Sequence, residues 1–234
     1  MSQRTLSMKE SFSFGFSSFF SNWALFIGVL AIMMAVQLPL SYLNDTLKTA
    51  VFGNGLVVTF LLIILLSAIS IINYIGFISI SLQCCDNKKP VIGELFSKSE
   101  LLIKMIWSSL LYFFYTSIIP IVLLIVAAFC LFFFKSIIIT AIFAIMSAAI
   151  WGYYMIRFNY FKYLLIDTGI NGMESMKKSW EITEQAFLQI AYFLSVVFLI
   201  NIIGFFLLFV GLIVTIPATS IASAHFYRQL LAAQ

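Results

Sequence analysis

Apolar residues run along this chain in solid blocks rather than alternating with polar ones. Uncharged stretches cover residues 11–44, 49–85, 105–134, 136–156 and 185–224. A helix needs about 20 residues to cross a hydrocarbon core of about 30 Å. Each of the first four stretches holds one such helix, and the last is long enough for two. The pattern predicts spans near 22–43, 56–80, 105–130, 136–157, 187–207 and 211–230. Gly204 and Gly211 bracket the bend expected in the last stretch, where one span plus a re-entrant segment is the competing reading. Inside a bilayer the backbone must satisfy its own hydrogen bonds, as helices or as a closed barrel. A barrel strand would place apolar residues at every second position, and these blocks do not. The expected fold is all-α: a polytopic membrane bundle of six transmembrane helices in a single integral membrane domain, residues 1–234.

The polar segments between the blocks are themselves patterned. Met173, Met176, Trp180, Thr183 and Phe187 recur at helical spacing, and Glu174, Lys177, Lys178, Glu181 and Glu184 occupy the opposite face. Glu174–Lys178 and Lys177–Glu181 stand four apart, where opposite charges support a helix by a few tenths of a kcal/mol. Asn171 followed by Glu174 reads as a capping box that opens this helix. It is expected to lie flat at the membrane interface, apolar stripe down. Met8, Phe12, Phe16, Phe19 and Trp23 mark a similar N-terminal helix, although Phe12, Phe14 and Phe16 also alternate as a strand would. From Pro90 onward, Ile92, Phe96 and Ile103 fall on one side. An interfacial helix followed by a transmembrane hairpin therefore recurs, in repeat-like units at about 5–83, 91–157 and 172–230. The residue-level similarity is thin and lies in Phe16–Trp23 and Lys178–Phe187, each leading into a span.

Charge sets the orientation. Arg4, Lys9, Lys88, Lys89, Lys98, Lys104, Arg157, Lys162, Lys177, Lys178 and Arg228 fall on one side of the predicted spans, and only Lys48 and Lys135 on the other. Cytoplasmic loops carry the excess of Lys and Arg, so both termini are expected in the cytoplasm. Hydrophobic residues make up 63% of the chain and charged ones 9%; a soluble domain carries about 25% charged residues. The net charge of +4 sits beside the spans, where it answers anionic lipid headgroups rather than nucleic acid. Lys88, Lys89, Arg157, Lys162, Lys177 and Lys178 are the candidate headgroup contacts. Trp151, Tyr153, Tyr154, Phe158, Tyr160 and Tyr163 read as an aromatic belt anchored by Arg157 and Lys162. Cys84, Cys85 and Cys130 supply no disulfide framework. Palmitoylation of the juxtamembrane Cys84–Cys85 pair competes with the plainer reading of small residues at a helix end. No small-x-small cleavage site follows the first apolar core near Trp23, so the first span is expected to be an uncleaved anchor.

A family resemblance rests on three stretches. The first runs Gly76–Leu82, then Asp86-Asn87-Lys88-Lys89-Pro90 and Glu94-Leu95-Phe96. The second is Tyr163–Trp180, ending Met176-Lys177-Lys178-Ser179-Trp180. The third joins Gly211–Pro217 to Ala224-His225-Phe226-Tyr227-Arg228-Gln229-Leu230. Together they resemble the YciC-like bacterial inner-membrane proteins and are similar to the integral-membrane domain attached to some glycerophosphodiester phosphodiesterases. The resemblance implies a six-span protein of the bacterial inner membrane. It transfers no catalytic residue, and the chain has no room for the phosphodiesterase barrel.

Groups able to do chemistry are sparse. His225 is the single histidine and reads as a polar end group beside Tyr227 and Arg228. No His-Glu-x-x-His, Gly-x-Ser-x-Gly or phosphate-binding loop occurs. Every carboxylate falls outside the predicted spans. An ionised group at mid-bilayer costs about 2.5–3.5 kcal/mol or more and marks ion and proton paths, so ion-coupled transport is not expected. Gln37, Asn73 and Asn201 are the candidate intramembrane polar residues, read first as interhelical hydrogen-bonding groups. Pro39, Pro120 and Pro217 fall within spans, and Ala31–Ala35, Ala144–Ala148 and Ala218–Ala222 are small-residue seams. No catalytic, cofactor or metal site is expected. The expected partners are membrane lipids with anionic headgroups and a membrane protein or second copy of the chain. The functional reading is a non-enzymatic inner-membrane module, an envelope scaffold or lipid-interacting protein. Its alternative is a transporter or flippase-like carrier for lipid or another apolar solute, favoured if Gln37, Asn73 and Asn201 converge on one cavity.

Overall fold

The uncharged blocks fold as long helices because a continuous helix satisfies every backbone group without water. The computed structural model describes residues 6–49, 56–86, 88–207 and 210–233; Arg4 lies outside them. In chain order it contains α1 (Met8–Ser21), α2 (Trp23–Thr49), α3 (Leu56–Cys85), α4 (Glu94–Ser97), a 3-10 turn at Ser99–Leu101 and α5 (Leu102–Phe134). Then follow α6 (Ile137–Arg157), α7 (Phe161–Thr168), α8 (Gly172–Glu184), α9 (Phe187–Phe206) and α10 (Val210–Ala232). Among the described residues all secondary structure is helical. Among the described residues five helices are long and apolar enough to cross a membrane; α1 with Trp23–Pro39, bent by 86°, makes a sixth if taken as one span. The 185–224 stretch forms two helices, and their junction is tight. A Cβ on Gly211 would fall 2.7 Å from the Cα of Gly204.

The chain divides into two compact units, Met1–Ile103 with Phe193–Gln234, and Lys104–Tyr192. These boundaries do not follow the three repeat-like units. The order of one short element and two long helices does recur. The middle short element is a helix of 4 residues and a 3-10 turn of 3, against 14 residues in α1 and 13 in α8. In that segment Leu95 and Leu101 are buried, while Ile92, Phe96 and Ile103 are exposed. The expected apolar side is thus turned away from the protein, and Leu95 meets α3 instead. Gly76 decides this, because a Cβ there would overlap the Leu95 backbone, which lies directly on α3.

In the first unit α1 packs on α10, and α3 packs on α2, α4 and α10. Phe19, Phe26, Val29, Phe77, Ile80, Leu95, Ala218 and Ile221 make its core. The packing face of α1 is Ser11, Gly15 and Phe19, so Phe19 alone of the apolar stripe is buried. Phe12 and Phe16 are half-buried and Trp23 is exposed. Small residues let two backbones approach more closely than a ring does. Of the alanine seams, Ala218 and Ala222 are fully buried, whereas Ala31 and Ala35 are exposed. An Arg228–Asp86 pair at 2.9 Å and a Ser81–Ser220 hydrogen bond at 3.1 Å link α10 to the end of α3.

In the second unit α8 packs on α6 and α7. Phe158, Phe161 and Met176 form its buried cluster, flanked by Leu111, Tyr112, Tyr154 and Trp180. Phe158 and Tyr160 are therefore core residues rather than members of an interfacial belt; Trp151 and Tyr153 remain exposed. Lys135 turns the α5–α6 hairpin at φ 50°. The Ser136 hydroxyl then caps α6 by accepting from the Ile139 N–H. The hairpin is tied across by Ser147 Oγ, which donates to the Pro120 carbonyl at 2.9 Å.

Candidate functional site around helix α8

The residues of α8 sort by size and charge. Gly172, Ser175, Met176, Ser179, Ile182 and Thr183 are buried, and all five charged residues are exposed. The stripe expected from periodicity is rotated by about one position. Met173 is 54% exposed and Trp180 only partly buried. The helix meets the rest of its unit through glycine, hydroxyl groups, Met176 and Ile182, which leaves Met173 and Trp180 at the edge. Gly172 permits the closest approach, since a Cβ there would overlap the Ser108 side chain.

Two hydroxyls clamp α8 to the end of α6. Ser179 Oγ and Thr183 Oγ1 donate to the Arg157 carbonyl at 2.9 and 3.2 Å. That carbonyl is in the last turn of α6 and has no intrahelical donor to accept from. Upstream, Lys104 Nζ donates to the Gly169 carbonyl at 2.7 Å. Gly169 ends α7 with φ 69°, a left-handed conformation that favours glycine. Asn171 stands at the N-cap as expected, but its side chain makes no capping hydrogen bond. Of the two expected ion pairs, Lys178–Glu174 forms at 3.6 Å; Lys177–Glu181 does not.

Arg157 is the most buried of the candidate headgroup contacts. It is only 5% exposed. Its guanidinium carbon lies 4.0 Å from the centre of the Trp180 ring and 5.8 Å from that of Tyr153. Its buried Nε has no hydrogen-bond partner. Among the described residues no carboxylate pairs with it.

Beside this cluster runs a groove of about 410 Å3, lined by Tyr115, Phe158, Met173, Met176, Lys177, Trp180 and Glu181. Its surface is almost wholly apolar. Lys177 and Lys178 are exposed, and Lys162 is partly buried with Nζ 5.7 Å from the Phe161 ring centre. Lys88 and Lys89 are exposed in the first unit.

The intramembrane amides have separate surroundings. Gln37 is exposed. Asn73 is 1% exposed, and neither of its amide atoms has a partner. Asn201 donates to the Val197 carbonyl at 2.9 Å and to Thr219 Oγ1 at 3.2 Å. None lines the α8 groove or a second groove of about 290 Å3 at Pro120, Ser147 and Ala148.

His225 has a structural role that the sequence did not reveal. Its Nδ1 stands 3.1 Å from Ser11 Oγ and 3.3 Å from Gln229 Nε2, and its ring stacks on Phe14. It joins α10 to α1. Nothing in the sequence links residues 214 positions apart. Cys84 is buried, and Cys85 Sγ donates to the Ser81 carbonyl at 3.4 Å. Among the described residues no three His, Cys, Asp or Glu side chains gather as a metal ligand set.

The long apolar helices define the class: an all-α, multi-pass membrane protein. No protein-family model matches the chain, and comparisons with curated proteins and with solved structures return no match.

Proposed function

We propose that this chain is a non-enzymatic module of the bacterial inner membrane that holds anionic phospholipid at its cytoplasmic face and acts as an envelope scaffold. Helix α8 carries this reading. It is clamped to α6 through small residues, keeps Lys177 and Lys178 exposed, and flanks an apolar groove. Exposed basic residues beside an apolar surface suit the interface of a membrane with an anionic leaflet. The sorting of eleven Lys and Arg to one side and two to the other supports placing α8 and both termini in the cytoplasm. The resemblance to YciC-like proteins supports the bacterial inner membrane.

The test is lipid retention. The full chain, purified in mild detergent from bacterial membranes, is expected to carry phosphatidylglycerol or cardiolipin above their share of the source membrane. The pair Lys177→Gln and Lys178→Gln is expected to lower that enrichment. Bound lipid matching the membrane composition in the unaltered protein would overturn the reading.

A further inference from the structure

We infer that Arg157 is the phosphate-binding group of a glycerophospholipid site, with one acyl chain lying in the groove of Tyr115, Phe158, Met173, Met176 and Trp180. The inference rests on the lipid-module reading and gives it a specific atom.

A guanidinium stays charged at any biological pH and carries five N–H donors. Burying it without partners is costly. Here Trp180 covers it at 4.0 Å and Tyr153 approaches at 5.8 Å. Those contacts serve the cation's charge but satisfy no N–H donor. The carboxylates of α8, Glu174, Glu181 and Glu184, are all exposed, and among the described residues none bonds to Arg157. The buried Nε of Arg157 is left without an acceptor. A phosphodiester meets the guanidinium fork in bidentate geometry.

The site is built rather than incidental. The Arg157 carbonyl receives Ser179 and Thr183, so the residue and the helix beside it are fixed together. The indole on the guanidinium also lines the groove, which places the charge within one side chain of an apolar channel. At about 410 Å3 the groove falls in the range of small-ligand sites, about 300–1,000 Å3. The charged residues of its lining are Lys177 and Glu181. An apolar groove that shares Trp180 with a buried guanidinium matches a molecule with a hydrocarbon tail and a phosphate. Free phosphate would leave the channel empty.

Trp180 makes the site observable. Trp23, Trp107 and Trp151 are exposed; replacing each by Phe leaves Trp180 as the only indole. The full chain is reconstituted in phosphatidylcholine vesicles containing a small mole fraction of phosphatidylglycerol brominated near its carbonyl end. Trp180 quenching is expected at about tenfold lower mole fraction than with equally brominated diacylglycerol, which lacks the phosphate. That ratio corresponds to about 1.4 kcal/mol. Arg157→Gln is expected to abolish the difference and Arg157→Lys to reduce it, since a lysine lacks the fork. Inorganic phosphate is expected to leave quenching unchanged; relief of quenching by it would assign the site to the free anion and overturn the inference. Equal quenching by the two lipids in the Arg157 protein would also overturn it, without need of any variant. If Arg157→Gln folds and keeps the preference, Arg157 is not the phosphate ligand, while retention of anionic lipid on purification still upholds the lipid module.

Discussion

Gly15 of α1 lies against α10 so closely that a Cβ there would fall 2.9 Å from the Cβ of Ala222 and overlap the Ala218 carbonyl oxygen. Two helices far apart in sequence meet through the absence of a side chain. Gly15→Leu is expected to destabilise the protein by about 1–3 kcal/mol, the usual cost of overpacking a filled seam. Reversible unfolding in mixed micelles checks this. Unchanged stability would show that α1 does not pack on α10 through Gly15.

Gly172 and Ser108 provide a second test of close approach, with a built-in control. Gly172→Ala alone is expected to cost about 1–3 kcal/mol, because the new methyl meets the Ser108 side chain. Adding Ser108→Gly removes the obstructing atoms and is expected to restore part of the loss. A double-mutant cycle measures the coupling; purely additive effects would contradict the contact.

Asn73 and Asn201 should respond differently. Asn201→Leu removes the hydrogen bond to Thr219 but also an unpartnered Oδ1, so it is expected to cost at most about 0.6 kcal/mol, the mean for such bonds in membranes. Asn73 is buried with both amide atoms unpartnered. Asn73→Leu is expected to raise stability by about 1–3 kcal/mol, the penalty released with an unsatisfied buried group. A loss of stability in Asn73→Leu would show that this amide has a partner in the membrane.

The orientation is open to labelling. Thiol reagents that cannot cross the membrane, applied to intact cells, are expected to modify Lys48→Cys and Lys135→Cys. They are expected to leave Lys89→Cys and Lys178→Cys untouched. The reverse pattern would invert the topology.

Much of the fold was legible along the chain. Expected spans such as 136–157 and 187–207 coincide closely with Ile137–Arg157 and Phe187–Phe206. The α8 helix starts beside Asn171 as its sequence predicts. The candidate site was less legible. Periodicity marked an apolar stripe of α8 for the membrane, Met173 and Trp180 among it, and gave no sign that Ser175 and Ser179 belong to the face that meets protein. In a membrane protein the apolar side of a helix need not be the side that meets protein, since lipid is equally apolar. Burial therefore follows fit rather than hydrophobicity.

Length, absence of charge and the sorting of lysines are local properties, and they determined by themselves that this chain forms long apolar helices joined by charged segments. Contact between distant segments is not local. That Gly15 meets Ala218, that Ser11 reaches His225, and that Arg157 lies under Trp180 with its buried Nε unpartnered depended on how backbones fit together in three dimensions. Small residues and buried polar groups leave no periodic trace in a sequence, so the tertiary structure alone decided which of them meet.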